Sequence, residues 1–172
     1  MKYFEYCQYT YRHRQALRYL IEKLIRESDV KREMLRRADV HDIDKIIMYQ
    51  FLSRKEASKI HKATATHHMA NSIPKTYFDK LEAVLDYESA GYTKPDKPFN
   101  AFDTINRFKN DGIVDAKTCD ELLEICEKYG LVGSYSVTKD AVGMNYLSQF
   151  EEVTEEMINE DIRAYFCRIV NE

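Results

Sequence analysis

Tryptophan is absent from the 172 residues, proline occurs three times, glycine five times and cysteine four times. So little proline and glycine argues against turn-dense all-β folds, collagen-like repeats and low-complexity disorder. Cys7, Cys119, Cys126 and Cys167 are scattered through a chain too large to need a disulfide framework, and they are expected to be reduced thiols in a cytoplasm. No apolar run approaches the roughly 18 residues of a membrane span. The segment MKYFEYCQYTYRHR lacks the apolar stretch of a secretory signal. There is also no excess of one charge: 26 Lys and Arg against 29 Asp and Glu leave a formal charge of -3. No strong field therefore draws the protein to nucleic acid or to anionic lipid. What is present, 44% hydrophobic and 32% charged residues, suits one domain with a real core.

One further lack is informative. All five histidines (His13, His41, His61, His67 and His68) precede residue 69, and none follows. Histidine is the commonest transition-metal ligand, so this asymmetry directs attention to the first half of the chain.

Hydrophobic spacing predicts an all-α fold. Leu17, Leu20, Ile21, Leu24 and Ile25 recur at helical intervals over 10–27, with His13 one turn before Leu17 on the same stripe. Residues 31–52 read as one helix, or two short ones meeting near Asp39. A third covers 54–69, with Ala57, Ile60, His61, Thr64 and His68 on one side. A fourth runs from Pro74 to Gly91 on a stripe of Phe78, Leu81 and Leu85, flanked by Glu82 and Asp86. After the polar connection TKPDKP (93–98), Phe99, Phe102, Ile105 and Phe108 suggest a fifth helix that stops near Gly112. Asp115 is the expected N-cap of a sixth, ending at Gly130. LVGSYSV (131–137) is the best strand candidate. Thr154 is expected to cap a last helix with Met157, Ile158, Ile162, Tyr165, Phe166 and Ile169 inside. Residues 1–130 read as a helical metal-binding domain, and 131–172 as an extension packing on the same core. The amphipathic last helix either closes that domain or joins a homodimer.

Candidate ligands lie on four successive predicted helices: His13, then His41 and Asp42, then His61, His67 and His68, then Asp86. Imidazole with carboxylate suits a divalent first-row transition ion (Mn, Fe, Co, Ni or Zn) better than Ca or Mg. One or two ligands projected from each helix is how a metal site is built inside a helical bundle. Adjacent His41 and Asp42 diverge by about 100° on a helix, so a shared ion sits at the edge between them. His61 and His68, two turns apart, share a face, whereas His67 points elsewhere unless the helix ends first. Glu82 is one turn from Asp86 and is either a ligand or an acceptor that orients an imidazole. Each residue also has a plainer reading: a core histidine for His13, a helix-terminal pair for His67 and His68, a solvated carboxylate for Asp86, an exposed lysine for Lys45; Asp44 reads as a surface residue or as a support behind a ligand. RESDVKREMLRR (26–37) reads as a solvated face. The thirteen tyrosines, crowded at Tyr3, Tyr6, Tyr9 and Tyr11, read as core or interface.

His13, the doublet His41-Asp42 in HDIDK (41–45) and the later Asp86 resemble the H…HD…D signature of the HD-domain metal-dependent phosphohydrolases. HDIDK, HKATATHH (61–68) and EAVLD (82–86) in that order most resemble an uncharacterised HD-like family of bacteria and their phages. The resemblance spans about residues 10–130 and weakens after 92. It departs from that family in lacking tryptophans near His68 and Asp86, where Met69 and Tyr87 stand, and in Asp44, where the superfamily often has glycine. The resemblance implies an HD-like helical bundle, one or two metal ions and hydrolysis of a nucleotide or another small phosphoester. His13, His41, Asp42 and Asp86 would then hold a first ion. His61 and His68, with or without His67, would hold a second or touch the phosphate, Asp42 and Lys45 would serve catalysis, and Glu82 would support the ligands. Two other outcomes keep the fold: an HD-type di-iron oxygenase, or a non-enzymatic binding module with a structural or vestigial metal site.

Overall fold

A computed structural model describes residues 2–94 and 99–171. The chain is all-helical, with no strand among the described residues. The elements are α1 (Lys2–Leu24), α2 (Ser28–Ala38), α3 (Ile43–Met48), α4 (Arg54–Thr64), α5 (Tyr77–Thr93), α6 (Ala101–Asn110), α7 (Ala116–Lys128), a 3₁₀ turn (Val137–Lys139), α8 (Ala141–Ser148) and α9 (Glu155–Asn171). Residues 95–98 of the polar connection, including Pro95 and Pro98, lie outside the described residues.

Local chemistry explains most of the boundaries. Ser53 and Glu56 form a reciprocal capping box at the start of α4, as do Thr76 and Asp79 at the start of α5. Asn100 accepts from the Asp103 amide to start α6. Asp115 and Thr154, both expected caps, accept from Thr118 and Met157.

α5 is the axis of the molecule. It packs against α1, α2, α6 and α7 and buries residues around nearly its whole circumference, Leu81, Val84, Leu85, Glu88 and Tyr92 among them. A helix buried on every side belongs in the interior of a bundle. Its polar residues are correspondingly satisfied. Buried Glu88 accepts from the Ala101 amide (2.7 Å) and the Tyr135 hydroxyl (2.7 Å), joining α5 to the start of α6. Burial pushes the Glu88 carboxyl above its ordinary pKa. Asp140 caps α8 and accepts from Tyr19, Tyr92 and Lys23, tying α8 to α1 and α5. Leu131, Val137 and Leu147 belong to the main core. A second apolar cluster of Cys7, Ile46, Val153 and Ile158 joins the start of α1 to α3 and α9.

Several expectations need correction. α1 begins at Lys2, well before residue 10, because Tyr3, Phe4, Cys7 and Tyr11 extend the helical stripe into that second cluster. The segment 131–137 is turn and extended backbone ending in the 3₁₀ turn, since its apolar residues meet helices and find no partner strand. α8 follows it unannounced. α9 does not bury its far end: Phe166 and Ile169 are 50% and 54% exposed. Polar contacts hold α9 there instead, namely Arg14 with Asp161, and Arg168 with Asp39 and the Arg36 carbonyl. No helix among the described residues is long and apolar enough to cross a membrane. The described cysteines are free thiols.

Candidate metal centre

Three elements and two junctions bring the site together. α1 contributes His13, α5 contributes Glu82 and Asp86, and α4 contributes His61. His41 and Asp42 lie in the turn between α2 and α3, and His67 and His68 in the turn after α4. Asp42 is the one described non-glycine residue with positive φ, at 62°. Aspartate enters that left-handed region more readily than most residues, yet still at a cost, and such strain gathers at functional sites. Here the left-handed turn resolves the divergence expected of adjacent helical residues and lets His41 and Asp42 face one point.

The buried polar network fixes the orientation of each ring. His41 places Nδ1 2.8 Å from Glu82 Oε1, and His61 places Nδ1 2.7 Å from Asp44 Oδ2. With those protons on Nδ1, each Nε2 presents its lone pair to the interior. His41 Nε2 lies 3.7 Å from both Asp42 Oδ1 and Asp86 Oδ1. His61 Nε2 lies 2.9 Å from Asp42 Oδ1 and 3.3 Å from His67 Nε2. His67 Nε2 in turn is 3.6 Å from Asp42 Oδ1, and its Nδ1 is 3.4 Å from Glu82 Oε1. His13 Nε2 contacts Asp86 Oδ1 at 2.7 Å. Lys45 takes the other Asp42 oxygen, Oδ2, at 2.7 Å, so Oδ1 is the one turned toward the imidazoles.

These are ligand atoms without donors. His41 Nε2 and Asp42 Oδ1 are buried and make no hydrogen bond, although His61 stands close to the latter. A buried acceptor left in that state is costly unless a cation completes it. The electrostatics agree. Burial opposes charge on His41, but Asp42, Asp86 and Glu82 outweigh it and hold its pKa well above normal. Burial likewise opposes charge on Asp42 and Asp86, yet the surrounding imidazoles, with Lys45 at Asp42, hold both carboxyls well below their ordinary range. The centre favours positive charge, which a proton or a metal ion supplies.

Two overlapping donor groups share Asp42. It stands with His13 and His41 on one side and with Asp44 and His61 on the other, and in each group one ligand atom per residue lies within 4.8 Å of the rest. His41, His67 and Asp86 form a further such group, as do His61, His67 and His68. The chemistry of the donors and the orphaned atoms therefore fit a divalent transition ion, and Asp42 is the residue positioned to serve two.

His61 and His68 do come together, but not along a continuous helix. α4 ends at Thr64, so the two-turn argument linking His61 to His68 does not apply, and His67 is the ring whose Nε2 meets His61. His68 also faces the cavity that His13, Asp42 and Asp86 line, with Nε2 buried and unpartnered; burial and the neighbouring His67 push its pKa down to about 3. Glu82 holds Arg37 by Oε2 (3.0 Å) while Oε1 meets His41. Arg37 also meets Asp79 (2.9 Å), so it is not part of a solvated face. Arg37 was legible only as one of several basic residues; its spacing gave no hint of this role.

Glu82 touches two candidate ligands and cannot be replaced neutrally. Glu82→Gln is expected to weaken divalent metal binding by about 10–100-fold while the helices persist. Calorimetric titration with Mn or Zn checks this, and equal affinity in the variant would show that the carboxylate does not orient the ligands.

A cavity of about 310 Å³ opens onto this centre. Its floor includes His13, Asp42, His68 and Asp86, and its wall includes Tyr9, Lys45, Tyr49, Tyr87 and Phe108. Its rim residues Arg54, Ser58 and Lys62 recur every four residues along α4, a stripe beside that of His61 that the sequence displays once the helix is known. The chain matches no protein-family model, no curated protein and no solved structure with which it was compared.

Proposed function

We propose that this chain is a metal-dependent phosphohydrolase of the HD type, acting on a nucleotide or another small phosphoester. The observation that carries the reading is the convergence of orphaned buried ligand atoms, His41 Nε2 and Asp42 Oδ1, beneath a cavity bordered by lysine and arginine. His13, His41, Asp42 and Asp86 would hold one ion, with Asp42, His61 and His67 able to hold a second. The chemistry such a centre supplies is a water acidified to hydroxide near neutral pH and neutralisation of charge on phosphoryl oxygens.

The remaining roles fall to the protein. Glu82 and Asp44 hold the tautomers of His41 and His61. Lys45, anchored on Asp42 Oδ2 and lining the cavity, remains charged because that carboxylate raises its pKa despite burial. It is thereby placed to meet a phosphoryl oxygen beside the metal site. His68 lines the same cavity, held neutral by burial and by the neighbouring His67. Free cysteines, with Cys7, Cys119 and Cys126 buried and Cys167 exposed, suit the reducing cytoplasm proposed as the location.

The second donor group also supports a di-iron oxygenase built on the same residues. The cationic cavity favours the phosphoester. The full chain should be purified, its bound metal measured, and phosphoesters screened with added Mn, Co or Ni. Metal near one or two equivalents and turnover lost in a folded His41→Ala variant are expected. Iron-dependent oxygen consumption without ester hydrolysis would select the oxygenase, and a folded chain that binds no metal would overturn both.

A further inference from the structure

Many lysines and arginines of this protein pair with nearby carboxylates: Lys23 with Asp140, Arg37 with Asp79 and Glu82, Lys80 with Glu121, Lys109 with Asp120, Lys128 with Glu27. The rim of the cavity above the candidate metal centre gathers four that are not so paired. Arg54, Lys62, Lys94 and Arg107 border it from α4, the end of α5 and α6, and none forms an ion pair with a described carboxylate. Three of them lie over aromatic faces: Arg54 over Tyr6, Lys94 over Tyr9, Arg107 over Phe99 and Phe108. Burial and the charges of Lys45, Arg54 and Lys62 draw the Lys94 ammonium below its ordinary pKa, Asp86 only partly offsetting them. In a chain of net charge -3, like charges gathered from three helices around one opening repel one another. Such an arrangement is stabilised when an anion enters it.

This rim is separate from the floor. Lys45 is already committed to Asp42 beside the ligands, while the four rim cations stand on the wall, with the aromatic rings of Tyr87 and Phe108 also facing the space. Resting on the phosphohydrolase reading above, we infer that the substrate is a small molecule with two separate anionic groups: the scissile phosphate over the His13, Asp42 and Asp86 floor, and a second phosphate held by Arg54, Lys62, Lys94 and Arg107. The cavity of about 310 Å³ lies at the small end of ligand sites and suits a compact bisphosphate rather than a polymer.

The experiment compares 1,4-butanediol bisphosphate with butyl phosphate on the metal-loaded full chain, by calorimetric binding and by kcat/KM. Wild type is expected to bind the bisphosphate about tenfold more tightly, the sum of several modest exposed ion pairs. The double substitution Lys62→Glu with Arg107→Glu, at exposed positions, is expected to erase that preference without altering the helical circular dichroism or the metal content. A control with the same change in net charge, Lys55→Glu with Lys117→Glu, is expected to keep it. Equal affinity for the two esters in wild type, or an equal loss in the control, would overturn the inference. Failure of the two readings is distinguishable. Preferential binding of the bisphosphate without turnover leaves the anion site and rejects the hydrolase. Turnover of both esters with equal kcat/KM keeps the hydrolase and rejects the second anion site.

Discussion

Replacing Asp42 by asparagine is expected to empty the candidate metal centre and, on the phosphohydrolase proposal, to lower phosphoester turnover by about a thousandfold or more, the scale of losing a group that acts only through the assembled site. Asparagine keeps the size of the side chain and tolerates the left-handed backbone at φ 62°, so the turn between α2 and α3 persists. What is lost is the anionic Oδ1, which faces His41, His61 and His67, and the charge that holds Lys45. Asp42→Ala is expected to remove the metal equally and, in addition, to destabilise the turn by about 1 kcal/mol, because alanine is disfavoured in left-handed backbone. Metal content by elemental analysis, read beside circular dichroism, separates the two effects. Full metal occupancy in Asp42→Asn would show that the donor atoms do not act together.

The largest structural loss is expected at Gly91. A Cβ built there would lie 2.0 Å from the carbonyl oxygen of Phe99 and 2.3 Å from Val137 Cγ2. A backbone carbonyl cannot rotate aside as the end of a long side chain can, so α5 must move away from the segment entering α6. Gly91→Ala is therefore expected to cost about 3 kcal/mol, the upper end of ordinary overpacking. For a chain of this size that corresponds to a fall in Tm of about 6–12 °C. Thermal or urea unfolding checks it; an unchanged midpoint would mean that α5 and Phe99 are not held this closely. Because Phe99 and Asp86 line the same cavity, substrate affinity is expected to fall with stability.

The helical class and several boundaries were legible in the chain because their causes are local. Leu17, Leu20 and Ile21 sit on one stripe by simple periodicity, and Asp115 and Thr154 cap helices by reaching amides three residues away. Local reasoning erred where a neighbour in space decided the outcome. The apolar run 131–137 looks like a strand, yet Leu131 and Val137 are absorbed into the helical core, and an isolated strand has no edge to bond. The near end of α1 looked like a crowd of tyrosines until α3 and α9 supplied the surfaces for Tyr3, Phe4 and Cys7.

Which side chains are able to bind a cation was determined by sequence alone: histidines confined to the first half, an adjacent His-Asp pair and two carboxylates one turn apart. How they meet was decided by tertiary structure. The left-handed turn at Asp42 swings one carboxylate between imidazoles from separate segments, and the end of α4 at Thr64 turns His67 inward and His68 toward the cavity. The physical reason is that residue type sets the donor chemistry one position at a time, whereas donor direction depends on backbone turns and on partners such as Glu82, Asp44 and Arg37, brought close only by packing of the whole bundle.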